Sequence, residues 1–113
     1  MRAKKWGRIC CITSSSLKQP IPTLAMSNVA RTALWAWIKT AAQEVFADGI
    51  TVNTAAPGAH ATDRMKQLGG GNGEGWGNPA DFGRVVAFLC SQPANYIAGV
   101  AVQVDGGATL GLL

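Results

Sequence analysis

Two stretches decide the fold: residues 8–16, RICCITSSS, and residues 50–58, ITVNTAAPG. The first is apolar without a break from Ile9 to Ile12, the pattern of a strand buried on both faces. The second carries β-prone residues over 50–55 and ends at Pro57-Gly58. Between them, Pro20 and Pro22 disfavour regular helix, so 14–23 reads as a loop. Residues 26–47 then repeat apolar side chains at a spacing of four (Val29, Ala33, Trp37, Ala41, Val45), with Ala30, Leu34 and Ile38 beside them. Asp48-Gly49 supplies a helix stop.

The pattern continues toward the C-terminus. A helix is expected to begin near Thr62 and Asp63. Residues 69–77, GGGNGEGWG, match neither GxGxxG nor GxxxxGK and read as a flexible loop or lid rather than a phosphate cradle. Asn78-Pro79 places an N-cap and a first-turn proline before a helix reaching about Ser91 and burying Phe82, Val85, Val86 and Leu89. Residues 99–104, GVAVQV, form a third strand closed by Asp105-Gly106-Gly107. Strands alternating with helices of this length imply an α/β fold of three parallel strands with flanking helices.

Composition narrows the function classes. The 113 residues suffice for one domain, and a charged share of only 14% leaves a surface suited to being covered by other protein. Half of the ten basic residues fall in the first eighteen positions: Arg2, Lys4, Lys5, Arg8 and Lys18. They read as a solvated chain end rather than a phosphate-binding patch, since Trp6 alone interleaves with them and single-strand binding uses several aromatic platforms. No nucleic-acid partner is expected. Cys10, Cys11 and Cys90 lack CxxC spacing, which favours reduced thiols and a cytoplasmic protein. With His60 the only histidine, a structural zinc site is not expected. No apolar run reaches membrane-spanning length, and MRAKKWGR lacks the apolar core of a signal peptide.

Four motifs in order carry a resemblance to a known family. GRICCITSSS resembles the strand that delivers the catalytic serine of short-chain dehydrogenases/reductases. ADGITVNTAAPGAHATD resembles that family's next strand and its PGxxxT turn. GNPADFGRVVAFLCSQPANYIAGVAVQVDGG resembles its final helix and strand, and the intervening helix ending IKTAAQEVFADGITVN fits without a gap. Together they cover nearly the whole chain. The resemblance, to members like 3-oxoacyl-carrier-protein reductases, implies the C-terminal part of a Rossmann-type doubly wound parallel sheet. It makes residues 1–113 the C-terminal portion of a single domain whose N-terminal dinucleotide-binding half, with its glycine-rich turn, is absent.

The resemblance also implies an oxidoreductase acting on a small-molecule carbonyl or alcohol with NAD or NADP, and a homo-oligomer. In the family a serine precedes a tyrosine by about thirteen residues, and a lysine lies four beyond the tyrosine. Here Ser14 keeps the serine position, while Ser27 and Arg31 stand where YxxxK would be. Tyrosine suits proton transfer because a nearby cation draws its pKa of about 10 toward neutrality. An aliphatic hydroxyl has no such range, whereas Arg31 keeps a charge for ribose or phosphate oxygens. By the same resemblance Pro57, Gly58, His60 and Thr62 lie against the nicotinamide, with the His60 backbone and Thr62 hydroxyl facing its carboxamide. Several roles stay open. Ser14 is a substrate ligand or a plain cap, and His60 is a general base or an unperturbed surface histidine. Tyr96, the only tyrosine, reads as a packed amphipathic ring. The whole reads as a reductase fragment with an atypical active site, expected to be inactive as an isolated chain, or as an idle oligomerisation module derived from that family.

Overall fold

A computed structural model describes residues 1–69 and 71–112; Gly70, within the glycine-rich run, lies outside the described residues. The order is β1 (Gly7–Ile12), α1 (Ala25–Val45), β2 (Ile50–Pro57), α2 (Asp63–Gln67), α3 (Pro79–Leu89) and β3 (Ala101–Val104). The strands form one parallel sheet in the order β1-β2-β3. Register pairs Gly7 with Ile50 and Ile12 with Ala55 across one seam, and Thr54 with Ala101 across the other. This is the α/β arrangement that the alternating pattern implies.

Alternation along the strands sorts side chains to two faces. Ile9, Cys11 and Val52 meet α1 through Leu34, Ile38, Ala41, Ala42 and Val45, forming the hydrophobic core. Arg8 and Cys10 point to the other face, where α3 packs. The strand buried throughout is β2, with Ile50 to Ala56 all enclosed. β1 is only partly covered, and Ile12 is 45% exposed. Hydrophobicity alone favoured β1 as the doubly buried strand. Position decides otherwise, because β2 has a neighbour on each edge and a helix over each face.

Being buried, β2 must satisfy its polar groups internally. Asn53 donates through Nδ2 to the Ile97 carbonyl (2.7 Å), and its Oδ1 accepts from the Val100 N–H (3.1 Å). Thr54 Oγ1 reaches the Cys11 carbonyl (2.9 Å) and Thr13 Oγ1 (2.8 Å). These bonds bind the chain before β3 to one side of β2 and the end of β1 to the other.

Four expectations about surfaces are corrected. Val29 and Trp37, read as part of the buried stripe of α1, are 65% and 54% exposed; the core stripe is the one containing Leu34 and Ile38. A spacing of four drifts around a 3.6-residue helix, so the stripe at residue 29 leaves the core face. On α3, Leu89 is buried, but Phe82, Val85 and Val86 are only half-buried. Tyr96 is 91% exposed, with an edge-to-face approach to Phe46 (centroids 5.9 Å apart). Arg8 is buried rather than part of a solvated end. Its guanidinium donates to the carbonyls of Gly7 (2.8 Å) and Ser91 (3.1 Å) and to Asn95 Oδ1 (2.9 Å), and lies over the Trp6 ring. Carbonyl acceptors and an aromatic face suit a weakly hydrated guanidinium, which explains its burial without a carboxylate.

The carboxyl ends of β2 and β3 are held together at a turn. Gly58 N–H donates to the Val104 carbonyl (3.0 Å), and a Cβ at Gly58 would sit 2.7 Å from Asp105 Cβ and 2.8 Å from its Cα. Asp105 accepts from the N–H groups of Gly107 and Thr109, both at 3.0 Å. The Thr109 hydroxyl first, then these backbone donors, hold the Asp105 carboxyl below the usual carboxylate range, against an opposing effect of burial.

Gly58→Ala is expected to destabilise the chain by about 1–3 kcal/mol, the cost of overpacking where backbone must move; an unchanged urea midpoint would contradict the contact. For Asp105 the folded pKa is depressed. Its contribution is therefore complete above the unfolded value of about 3.9 and lost as pH falls through the lower folded value. Amide exchange at Gly107 and Thr109 should accelerate in that acid window, and Asp105→Asn should weaken the turn by about 1 kcal/mol at neutral pH. Equal protection of both amides in the variant would show that the carboxylate does not hold the turn.

Candidate active site

All three strands run in one direction, so their carboxyl ends and the segments after them share one edge of the sheet. Open parallel sheets bind ligands outside that edge. Ser14 follows β1, and the turn 57–62 spans the end of β2 and its exit. Ser27 and Arg31 lie in the first two turns of α1.

Ser14 is extended (φ −165°) and its Oγ accepts from Ser16 N–H (3.1 Å), capping the short turn Ser15–Leu17. The capping role is therefore present. It uses the oxygen as acceptor and leaves the hydroxyl proton free to donate. Arg31 reaches back to β1, its Nη1 donating to the Ile12 carbonyl (3.2 Å). This bond ties α1 to the residue that ends β1, two positions before Ser14. Ser27 is half-buried one turn earlier on α1. Its neighbour Asn28 holds the preceding loop, donating to the Ile21 carbonyl (3.0 Å) and accepting from Ile21 N–H (3.4 Å). Thr23 in that loop has φ 68°, a left-handed conformation unusual for a β-branched residue. No sequence signal marked it, because threonine is not a residue that announces a left-handed turn.

The turn after β2 is packed against α3 and against the end of the glycine-rich run. His60 is 8% exposed, which corrects its reading as a surface histidine. Its Nδ1 lies 3.1 Å from the Gly58 carbonyl, and its ring meets Phe82 of α3 edge-on at 5.2 Å between centroids. Its other edge lies against Gly77, where an added Cβ would come within 2.9 Å of the ring. Backbone pairing closes the same contact: Gly77 N–H donates to Ala59 O, and Ala61 N–H donates to Gly77 O, both at 2.9 Å. The chain therefore leaves this turn at Thr62 and returns to it at Gly77. Thr62 Oγ1 accepts from Met65 N–H (3.4 Å), capping α2. The pairing with Gly77 bypasses the N–H of His60, and the Thr62 hydroxyl proton remains available to donate.

The structure thus joins Arg31 to the end of β1 near Ser14, and gathers Pro57, Gly58, His60 and Thr62 on one turn. It shows no bond between Ser27 and Ser14 or between the two groups among the described residues. A cleft lined by Leu17, Pro20, Val29 and Ala33 lies outside them, against α1.

Comparison with known proteins agrees with this fold. A family profile described as enoyl-(acyl carrier protein) reductase matches residues 1–109. The chain is 35% identical over 119 residues to the 3-oxoacyl-[acyl-carrier-protein] reductase of Haemophilus influenzae, covering 97% of this chain and 49% of that protein. It is 33% identical over 126 residues to dehydrogenase/reductase SDR family member 4 of Sus scrofa, covering 95% and 42%. Among solved structures, a Thermus thermophilus protein superposes with a TM-score of 0.83 at 33% identity, covering 95% of this chain and 50% of that one. A 3-oxoacyl (acyl-carrier-protein) reductase from Agrobacterium tumefaciens with NADP bound superposes at 0.84 and 25% identity, covering 95% and 46%. The chain spans about half the length of these relatives. A match across 109 residues, the parallel sheet and the placement of Ser14 and the 57–62 turn at its carboxyl edge make the chain a member of the short-chain dehydrogenase/reductase family.

Proposed function

We propose that this chain forms the substrate-side half of an NAD(P)-dependent oxidoreductase site acting on a small carbonyl or alcohol. The observation that carries the reading is the Arg31–Ile12 bond, which holds a permanent cation at the end of the strand leading to Ser14. A nicotinamide nucleotide would supply the hydride. Toward it the chain offers the Arg31 charge for ribose or phosphate oxygens, and two donors for a carboxamide oxygen: the His60 N–H and the Thr62 hydroxyl. Both retain that capacity within their own hydrogen bonds. Ser14 would donate its hydroxyl proton to the substrate oxygen while its own oxygen stays fixed by Ser16 N–H. The weak element is Ser27. A serine hydroxyl does not exchange protons readily near neutrality, and Arg31 beside it does not bring it into range.

A second reading rests on a separate observation. Met26, Val29 and Trp37 are 82%, 65% and 54% exposed along α1, an apolar face that fits an oligomerisation module without turnover.

Joining the chain to the N-terminal half of a related reductase separates these readings. The chimera is expected to bind NADP(H) and to reduce generic ketones slowly or not at all. Ser27→Tyr with Arg31→Lys should recover a good part of the roughly 10²–10⁴ factor that positioned acid–base groups supply, and either change alone should recover less. Nucleotide binding with no gain in the double variant would favour the idle module. Ordinary turnover in the unmodified chimera would move the proton-transfer role to His60 or to water. Sedimentation of the chain itself should show self-association, and a stable monomer at about ten micromolar would count against the oligomerisation reading.

A further inference from the structure

β1 is an edge of the sheet, and only half of its backbone is paired. Gly7 N–H donates to the Gly49 carbonyl (3.2 Å) and Thr13 N–H to the Ala55 carbonyl (3.0 Å), so Gly7, Ile9, Cys11 and Thr13 turn their amides toward β2. Successive residues of a strand point their amides to opposite edges, so Arg8, Cys10 and Ile12 direct N–H and C=O away from the sheet. Among the described residues, the Ile12 carbonyl alone has a partner there, the Arg31 guanidinium, and its second lone pair stays open. Lysine, proline or a bulge commonly blunts such an edge. Here Ile9 to Thr13 carry neither charge nor proline. An apolar row of α1 lies on the same side. Ile38 is buried toward the sheet, so Trp37 and Lys39 stand on opposite flanks of the helix, each about 100° from it. Lys39 Nζ donates to the Gly99 carbonyl (3.1 Å), which puts its flank toward β3. Trp37 therefore lies on the flank toward the free edge of β1, in one row with Ala33, Ala30 and Met26, all exposed.

We propose that two copies of this chain join antiparallel through the free edges of β1, around a two-fold axis at Cys10. The proposal rests on the oligomerisation reading and gives it a surface. Hydrogen bonding sets the register. With Cys10 opposite Cys10 of the second copy, Arg8 stands opposite Ile12, and every outward N–H of either strand meets an outward carbonyl. Moving the register by two residues either way leaves Ile12 or Arg8 opposite a residue outside the strand. The same register sets each Arg8 against an apolar residue, so like charges never face each other. The axis is perpendicular to the sheet. Both α1 helices therefore fall on one face, and their rows from Met26 to Trp37 turn toward each other. The two sheets become one, and the unpaired edge is removed. β3, the other edge, offers a shorter strand of four residues.

The test is sedimentation with amide hydrogen exchange over a dilution series of the chain, in reducing agent. The amides of Ile9 and Cys11, which face β2, should be protected at every concentration. Those of Arg8, Cys10 and Ile12 should gain protection of about tenfold or more as the dimer forms. Cys10→Pro deletes an outward N–H and no bond to β2, the setting in which an edge strand accepts proline. It should weaken dimerisation by about tenfold or more, because the symmetry removes two hydrogen bonds at once. Cys10→Val, which keeps the N–H, should dimerise as the unaltered chain does. Circular dichroism reports whether Cys10→Pro folds; if it does not, the exchange pattern of the unaltered chain decides alone. A dimer whose Arg8, Cys10 and Ile12 amides stay unprotected would overturn this pairing and leave association through α1 standing. A monomer at every concentration would overturn both. Growth beyond the dimer would mean that β1 pairs with β3 of the next copy, and would overturn the two-fold register.

Discussion

The side chain of Asn53 is the constraint on which the rest of the structure depends. It is 1% exposed in the middle of the one strand that has neighbours on both edges. A buried carboxamide must find partners for both its ends, and leaving either unmade costs about 1–3 kcal/mol. Both partners come from the segment before β3, the carbonyl of Ile97 and the N–H of Val100. The final strand is therefore guided into place before its own ladder begins at Ala101. Gly99 N–H to Val52 O (2.9 Å) and Thr54 N–H to Val100 O (3.0 Å) extend the same seam. The carboxyl edge that holds the candidate site inherits its alignment from this seam.

A second, independent tie acts at the opposite end of the sheet. Arg8 joins β1 to the connection after α3, while Trp6 Nε1 donates to Gln92 Oε1 (2.8 Å). Asn53 and Arg8 work by the same principle. Each places a polar group where water is excluded and thereby allows only the arrangement that satisfies it. The apolar core of Ile38, Ala42 and Val52 is small and tolerant by comparison. Uniqueness of the fold rests more on these polar ties than on the volume of the core.

Much of this was legible in the sequence, for identifiable reasons. Pro57-Gly58 and Asn78-Pro79 are local signals, and each marks an element boundary to within one residue, whereas Asp48-Gly49, read as the helix stop, falls three residues beyond the end of α1 because a short 3-10 turn over Phe46–Asp48 intervenes. Helix faces and burial were less legible because they depend on neighbours distant in sequence. Trp37 looks like a core residue until Leu34 and Ile38 are seen to occupy the sheet-facing side. Arg8 looks like part of a charged tail until the Ser91 carbonyl and the Asn95 side chain, each more than eighty positions away, converge on it. The candidate site divides the same way. Ser14, Ser27 and Arg31 are singled out by the family resemblance alone, whereas the enclosure of His60 by Phe82 and Gly77 is a tertiary fact with no local signature.

The pairing of Gly77 with Ala59 and Ala61 has a consequence for how such a site can diversify. It fastens both ends of the intervening segment to the framework, so that the span between them is a closed loop. The entropy of closing a flexible loop grows only with the logarithm of its length, about 0.6 kcal/mol for each doubling. Residues could be inserted or exchanged between α2 and Trp76 with little strain transmitted to β2 or α3. The stretch between α2 and Trp76 can then be rewritten by mutation while the turn at its base and the strand leading to Ser14 keep their places.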